Sequence, residues 1–283
     1  MHGGAFEMMA AAERDHWWFR GRREFITAAF RRASLPSGAR VLDAGCGFGG
    51  NLAVLREFGA VWAFERDARA RAAATATGIA ADVAFGALPD EIPFSGTTFD
   101  AIGLFDVLEQ VEAPVAALRA LADRLSADGA MVLTVPAHPT LWGPHDEYHH
   151  HFHRFTTTTL RRSLEAAGLR VEYLSHFNTL LLPLALAQRV RERFFGYEPG
   201  DLMPGSRLDQ ALFRIWTAEL RWIPRRTLPV GLSILAIARR SSSHAVPSRA
   251  RDDRPGDLEE PTSVRAAADP PLDLPSVNRA SRA

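Results

Sequence analysis

Val41-Leu42-Asp43-Ala44-Gly45-Cys46-Gly47-Phe48-Gly49-Gly50 is a short apolar run that ends in a carboxylate and then opens into a turn with four glycines in its last six residues. A turn this bare lets a ligand approach the backbone and the N-terminus of the helix that follows. Downstream, residues 51–58 (NLAVLREF) carry helical spacing and residues 61–65 (VWAFE) read as a second strand. Strand, glycine turn, helix and strand in that order form one unit of an open parallel sheet.

The same alternation continues. Residues 40–43 form the first strand, residues 68–75 (ARARAAAT) a helix, residues 82–86 a weak strand and residues 99–105 (FDAIGLF) a stronger one. Residues 113–125 read as a helix with Pro114 in its first turn, where a missing N–H costs nothing. A strand at 130–135 ends at Pro136, a helix at 156–167 is closed by Gly168, and a strand follows at 170–175. Helical segments near 178–195 and 207–222 precede a last strand at 232–238 (LSILAIA). The expectation is an α/β fold: a seven-stranded, mainly parallel sheet with helices on both faces and a helical insertion before the last strand. The last hairpin pairs 170–175 with 232–238. No internal repeat is visible.

The 33 basic residues balance 33 acids, so no global field gathers nucleic acid, and none is expected as a partner. The single cysteine, Cys46, excludes an internal disulfide and a cysteine-based metal site, which fits a reducing cytoplasm. The start of the chain lacks the basic-then-apolar order of a secretory signal. The longest apolar run, residues 179–187 (TLLLPLALA), is far short of the roughly 20 residues that span a bilayer. Residues 241–283, rich in Pro, Ser, Asp and Arg, read as a disordered tail.

The glycine turn admits two ligands. Gly45, Gly47 and Gly50 satisfy the dinucleotide fingerprint, and Glu65, 20 residues after Gly45, suits both hydroxyls of a ribose. NAD and S-adenosylmethionine each offer such a ribose. Asp43 favours the second. A carboxylate at the strand end repels a pyrophosphate and attracts an ammonium and a sulfonium.

With residues 105–110 (FDVLEQ) added, the chain resembles the class I S-adenosylmethionine-dependent methyltransferases. VLDAGCGFGG is similar to their first motif, residues 61–67 (VWAFERD) to their ribose-binding strand end, residues 85–93 (FGALPDEIP) to their adenine-side loop and DVLEQV to DVLEHV, with Gln110 where histidine is common. The resemblance covers residues 36–176 and implies a Rossmann-like fold with S-adenosylmethionine as cofactor. It implies that Asp43, Gly45, Cys46, Gly47 and Gly49 surround the methionine moiety, with Cys46 a small filler. Glu65 then holds the ribose and Arg66 packs near the adenine. Ala87 and Leu88 contact the adenine mostly by backbone, and Phe105 and Asp106 line the cofactor. An NAD-dependent oxidoreductase and a cofactor-binding protein without turnover are the rival readings, the second kept open by Gln110 and Phe155.

Residues 15–23 (DHWWFRGRR) read either as a helix packing its rings on the sheet or as a lid. As a lid, residues 1–35 place Trp17 or Trp18 over the cofactor and pair Arg20 or Arg23 with its carboxylate. Residues 136–156 hold six of the ten histidines. The spacing lies on no single helix face, so a metal site is not expected, and several of the six belong to plain loop surface. In similar methyltransferases Asp, His and Arg followed by an aromatic occupy this loop, which Asp146, His151, Arg154 and Phe155 match. His151 is then the base or acceptor ligand for transfer to an oxygen or carbon of a small-molecule or lipid-linked acceptor. Residues 177–197 join an apolar block to Arg189, Arg191 and Arg193. They read as a helical cap within 177–230, interrupted at Pro183, or as a peripheral contact at the inner membrane face that Leu181→Glu should abolish. Residues 231–240 return to the sheet.

Overall fold

The computed structural model describes Glu13, residues 16–195 and residues 206–241. The chain enters through helix α1 (Trp17–Ala33), crosses to strand β1 (Ala39–Ala44) and turns through the glycines into the short helix α2 (Leu52–Arg56). Strand β2 (Gly59–Glu65), helix α3 (Ala68–Ala76), strand β3 (Asp82–Phe85) and strand β4 (Phe99–Phe105) follow. Next come helix α4 (Pro114–Ala122), strand β5 (Leu125–Pro136), one helical turn α5 (Pro144–Tyr148), helix α6 (Thr157–Ala166) and strand β6 (Leu169–Phe177). Helices α7 (Leu182–Phe195) and α8 (Ser206–Thr217) precede strand β7 (Ser233–Arg240).

The seven strands form one sheet in the order β3-β2-β1-β4-β5-β7-β6. All pairs are parallel except those of β7, which runs antiparallel to both β5 and β6. The expected hairpin is present, with Ser175 facing Leu235. Strand order reverses between β1 and β4, and in open sheets a ligand crevice lies beyond the carboxyl ends of strands at such a reversal. Asp43 lies there, in register with Gly103 of β4.

Several boundaries differ from expectation for local reasons. The helix after the glycine turn keeps only its middle, since Gly59 starts β2 directly. Strand β5 begins at Leu125, five residues early, because Phe99 pairs with it there across a register shift. Strand β6 runs on to Phe177, so the next helix starts later, and Pro183 sits in the first turn of α7 instead of interrupting it. Of the expected disordered tail, residues 242–283 lie outside the described residues.

Helix α1 buries Phe25, Ile26, Ala29, Phe30 and Ala33, a helical stripe laid on one sheet face. A second cluster, with Leu104, Leu118, Leu133 and Leu160, fills the opposite face. The helical insertion closes onto α1 through Trp216, fully buried and stacked 4.5 Å from Trp18 and 5.5 Å from Phe25. Gly21 permits this contact, because a Cβ there would overlap the Trp216 ring. Glycine to alanine inside a helix ordinarily gains about 1 kcal/mol. Here overpacking, about 1–3 kcal/mol, should win. Gly21→Ala is therefore expected to lower the midpoint of thermal unfolding by a few degrees, roughly 2–4 °C per kcal/mol lost; a raised midpoint would contradict the packing.

Candidate active site

The glycine turn is built against both neighbouring strands. Gly45 and Cys46 each donate an N–H to the Phe64 carbonyl of β2 at 3.0 Å. Gly45, at φ +78°, packs so closely on Val107 that a Cβ would stand 2.7 Å from its methyl group. Gly47 donates its N–H to Glu65 Oε2 at 3.1 Å, and Asp67 donates to Oε1 at 2.8 Å. Glu65 is thereby aimed along the turn, with lone pairs left on both oxygens for hydroxyl donors. Gly49 closes the turn by donating its N–H to the Cys46 carbonyl. Cys46 is buried, and burial and the nearby Asp43 raise its thiol well above the ordinary range, so it stays protonated filler.

Asp43 is 1% exposed and its Oδ2 has no hydrogen-bond partner among the described residues. Burial pushes its carboxyl up to about 7, against the lowering influence of Arg22. Three carboxylates gather here, since Glu13 and Glu65 both act on Asp43. The Glu13 carboxylate accepts backbone N–H bonds from Gly50 and Phe48 and lies where a Cβ on Gly47 would stand. Burial raises its pKa as well.

The cation opposite these acids is Arg22, which the sequence reading missed. From α1 it pairs with Asp106 Oδ2 at 2.7 Å and donates to the Phe105 carbonyl at 2.6 Å. Arg20, expected to meet the cofactor, lies instead 4.7 Å over the Phe213 ring, on the exposed side of α1. Arg23 donates to the Glu13 carbonyl at 2.6 Å. Trp17 corrects the lid reading too: it is buried in the core against Trp18 and Trp216. The signal was available in the helical phase, because Arg22 falls on the same stripe as Phe25, Ile26 and Ala29, whereas Arg20 does not.

Asp106 sits at φ +53°, a conformation unusual for a residue with a side chain. It is held by Arg22 and by Thr134, whose hydroxyl donates to Oδ1 at 3.1 Å. The Phe105 ring folds back over Gly103 and is buried. On the adenine side, Ala87 exchanges both backbone hydrogen bonds with Glu91, at 2.9 and 2.8 Å. Its N–H is thus already used within the loop. Leu88 packs its side chain on the second core cluster, and Arg66 is exposed.

The histidine loop is closed at its base, where Ala137 pairs with Phe155. Inside it, fully buried Asp146 collects the predicted partners: His151 Nδ1 at 3.0 Å and Arg154 Nε at 2.8 Å, both on Oδ1. Gly143 donates its N–H to Oδ2 at 2.9 Å, and Arg189 of α7 approaches within 3.8 Å. Burial raises the Asp146 carboxyl, but the hydrogen bonds from His151 and Arg154 outweigh it and hold the group well below the usual carboxylate range. Burial and neighbouring His149 hold His145 neutral, down to about 3. Among the described residues no three His, Cys, Asp or Glu side chains are arranged to hold a metal ion.

The loop docks on the residue that links it to the crevice. Phe152 and His153 donate backbone N–H groups to the Glu109 carbonyl at 2.7 and 3.2 Å. Glu109 is 1% exposed, and burial and adjacent Asp106 raise its pKa, favouring the neutral acid. Only the fold discloses this position between the two clusters.

Comparison with known proteins agrees with this architecture. Residues 18–174, more than half of the chain, match a family described as a methyltransferase domain. No curated protein matches. The fold is similar to that of a S-adenosylmethionine-dependent methyltransferase from Clostridium acetobutylicum, at 10% identity and TM-score 0.53 over 84% of this chain and 97% of that one. It is also similar to the plantazolicin methyltransferase BpumL in complex with SAH, at 12% identity and TM-score 0.54 over 84% and 89%. The [4+2]-cyclase SpnF shares the fold as well, at 20% identity and TM-score 0.50 over 76% and 80%. A buried carboxylate lacking a hydrogen-bond partner on one oxygen, beside a glycine turn and a ribose-suited glutamate, fits the cationic S-adenosylmethionine as cofactor, whereas a dinucleotide would set its phosphates against those acids. Given the match across residues 18–174, the chain belongs to the methyltransferase domain family.

Proposed function

We propose that the chain methylates an oxygen or carbon of a small-molecule or lipid-linked acceptor. The observation that carries the reading is the Asp43 Oδ2, buried with no hydrogen-bond partner among the described residues, with Glu13 and Glu65 nearby. Together these acids supply negative potential where an ammonium and a sulfonium would lie. Bound there, S-adenosylmethionine supplies an electrophilic methyl group. Asp43, Gly45, Cys46, Gly47 and Gly49 would hold its methionine end and Glu65 its ribose. Arg66, Ala87 and Leu88 would lie on the adenine side, and Phe105 and Asp106 would line the cofactor.

On the acceptor side, Asp146 takes the Nδ1–H of His151 and so leaves Nε2 as the acceptor nitrogen. That nitrogen takes the proton from an acceptor hydroxyl or acidic carbon. Arg154 bonds Asp146 and the Ala137 carbonyl at 3.0 Å, so it positions the pair and touches no reactant itself. Methyl transfer depends mainly on alignment, and a rigidly held imidazole adds general-base help on top of it.

Thermal shift and product release test this together. S-adenosylmethionine and S-adenosylhomocysteine should raise the unfolding midpoint, NADH should not, and S-adenosylhomocysteine should appear only with an accepted acceptor. Stabilisation by NADH alone would overturn the assignment. Binding without release across a broad acceptor panel would leave a cofactor-binding protein.

A further inference from the structure

Helices α7 and α8 carry apolar side chains on their outer sides, where surface helices usually turn a polar face to water. Inward, the insertion buries Leu181, Leu212, Trp216 and Ile223. Outward, α7 exposes Leu184, Leu186 and Ala187, and α8 exposes Leu208, Ala211 and Ile215 at helical spacing. Of the eleven large hydrophobic side chains exposed among the described residues, ten lie between positions 142 and 230. Isolated exposed apolar residues need no explanation, but a concentration of this kind marks a surface that something covers.

Polar contacts tie the parts of this surface to one another. Arg189 ties α7 to Asp146 in the histidine loop, which exposes Trp142, Tyr148 and Phe152. At the other end, Glu219 accepts the N–H groups of Asn178 and Leu180 at 2.8 and 2.7 Å, and the Thr179 hydroxyl donates to the Val230 carbonyl. Exposed Leu180, Trp222 and Val230 are thereby joined to α7. This surface begins where β5 and β6 end, on the edge of the sheet that carries the glycine turn.

Charge selects the occupant. Residues 178–191 and 208–230 hold six arginines against two acids in a chain whose net charge is zero. One of those acids, Glu219, is fully buried. Exposed Arg191, Arg214, Arg221, Arg225 and Arg226 alternate with the exposed leucines, Ile215 and Trp222. A second copy meeting this face by two-fold symmetry would set basic surface against basic surface. An anionic bilayer offers apolar depth for the leucines, an interfacial layer for tryptophan and phosphates for guanidinium groups.

We propose that residues 142–152 with 178–191 and 208–230 form a docking surface for an anionic phospholipid bilayer. Such docking would place the acceptor side of the enzyme against the membrane. It deepens the lipid-linked reading of the acceptor, yet its test does not depend on turnover.

The full chain is sedimented with vesicles of phosphatidylcholine alone and of phosphatidylcholine mixed with phosphatidylglycerol. Binding is expected only to the anionic vesicles, with release at about 1 M salt. Two variants are compared: Leu184→Glu with Leu186→Glu, and Arg225→Glu with Arg226→Glu. All four side chains are exposed, unlike buried Leu181, whose replacement would test the core instead. Each variant should lose roughly tenfold or more in vesicle partitioning. Unchanged melting and S-adenosylhomocysteine affinity confirm that each is folded. Equal recovery with both vesicle types, or variants that partition like the wild type, would overturn the proposal. A concentration-dependent dimer broken by these substitutions would assign the face to a second copy and overturn it as well. Loss of cofactor binding by the wild type would instead count against the methyltransferase reading and leave the vesicle result standing.

Discussion

Asp43→Asn is expected to weaken S-adenosylmethionine binding about 100-fold, the loss of roughly 3 kcal/mol that follows removal of a charged partner from a buried cation. Isothermal titration calorimetry reads it directly. The sign of the pH dependence follows from burial, which lifts this carboxyl from its ordinary 3.8 to about 7 while Arg22 partly restrains it. Between about pH 4 and 7 the folded protein holds a proton that the unfolded chain has lost, so this group's contribution to stability falls as pH rises through that window. Cofactor binding runs the other way. A cationic guest prefers the ionised carboxylate, so affinity should rise from about pH 6 towards 7.5, before the guest's own α-amino group begins to lose its proton. The asparagine variant should lack the part of each slope that residue 43 contributes. A variant that binds as tightly as the wild type would remove the central argument for a cationic cofactor.

His151→Ala should reduce kcat about 10²- to 10⁴-fold with cofactor affinity unchanged. Its partner behaves differently. Asp146→Ala leaves the Arg154 guanidinium, only 8% exposed, without its carboxylate, along with the Gly143 N–H. Breaking such a buried pair costs about 3–5 kcal/mol, an expected drop of roughly 10–15 °C in the unfolding midpoint. Asp146→Asn separates the two roles. It keeps the volume and some hydrogen bonding but no longer holds the proton on His151 Nδ1, so kcat should fall further than stability. The wild type should also lose stability as pH falls below about 4, because the unfolded chain's Asp146 takes a proton there while the depressed native carboxyl stays ionised, and the asparagine variant should lack this step. If His151→Ala turns over normally, the histidine is structural and the loop only shapes the acceptor pocket.

The glycine turn, the strand alternation and the closing hairpin were legible in the chain because each rests on near-neighbour chemistry. Gly45, Gly47 and Gly49 all have positive φ, a local demand met by local residues. The DVLEQV segment and the Asp146, His151 and Arg154 group were singled out only through their resemblance to methyltransferase motifs; the contacts among the latter three are themselves local, made inside one loop between paired Ala137 and Phe155. Less readable were the groups that meet from distant parts of the chain. Arg22 and Asp106 are 84 positions apart, and Trp216 reaches Trp17 and Gly21 from the far end of the fold.

The sequence alone determined the alternation of strands and helices, the closing hairpin and the sign of charge at the end of β1, since periodicity and turn chemistry act over a few residues. Tertiary structure alone decided which arginine of the N-terminal helix enters the crevice, that Trp17 belongs to the core, and that Glu109 stands between the two clusters. Those outcomes depend on which side of a helix or strand faces a partner elsewhere in the chain, and packing resolves that choice only when the whole core closes.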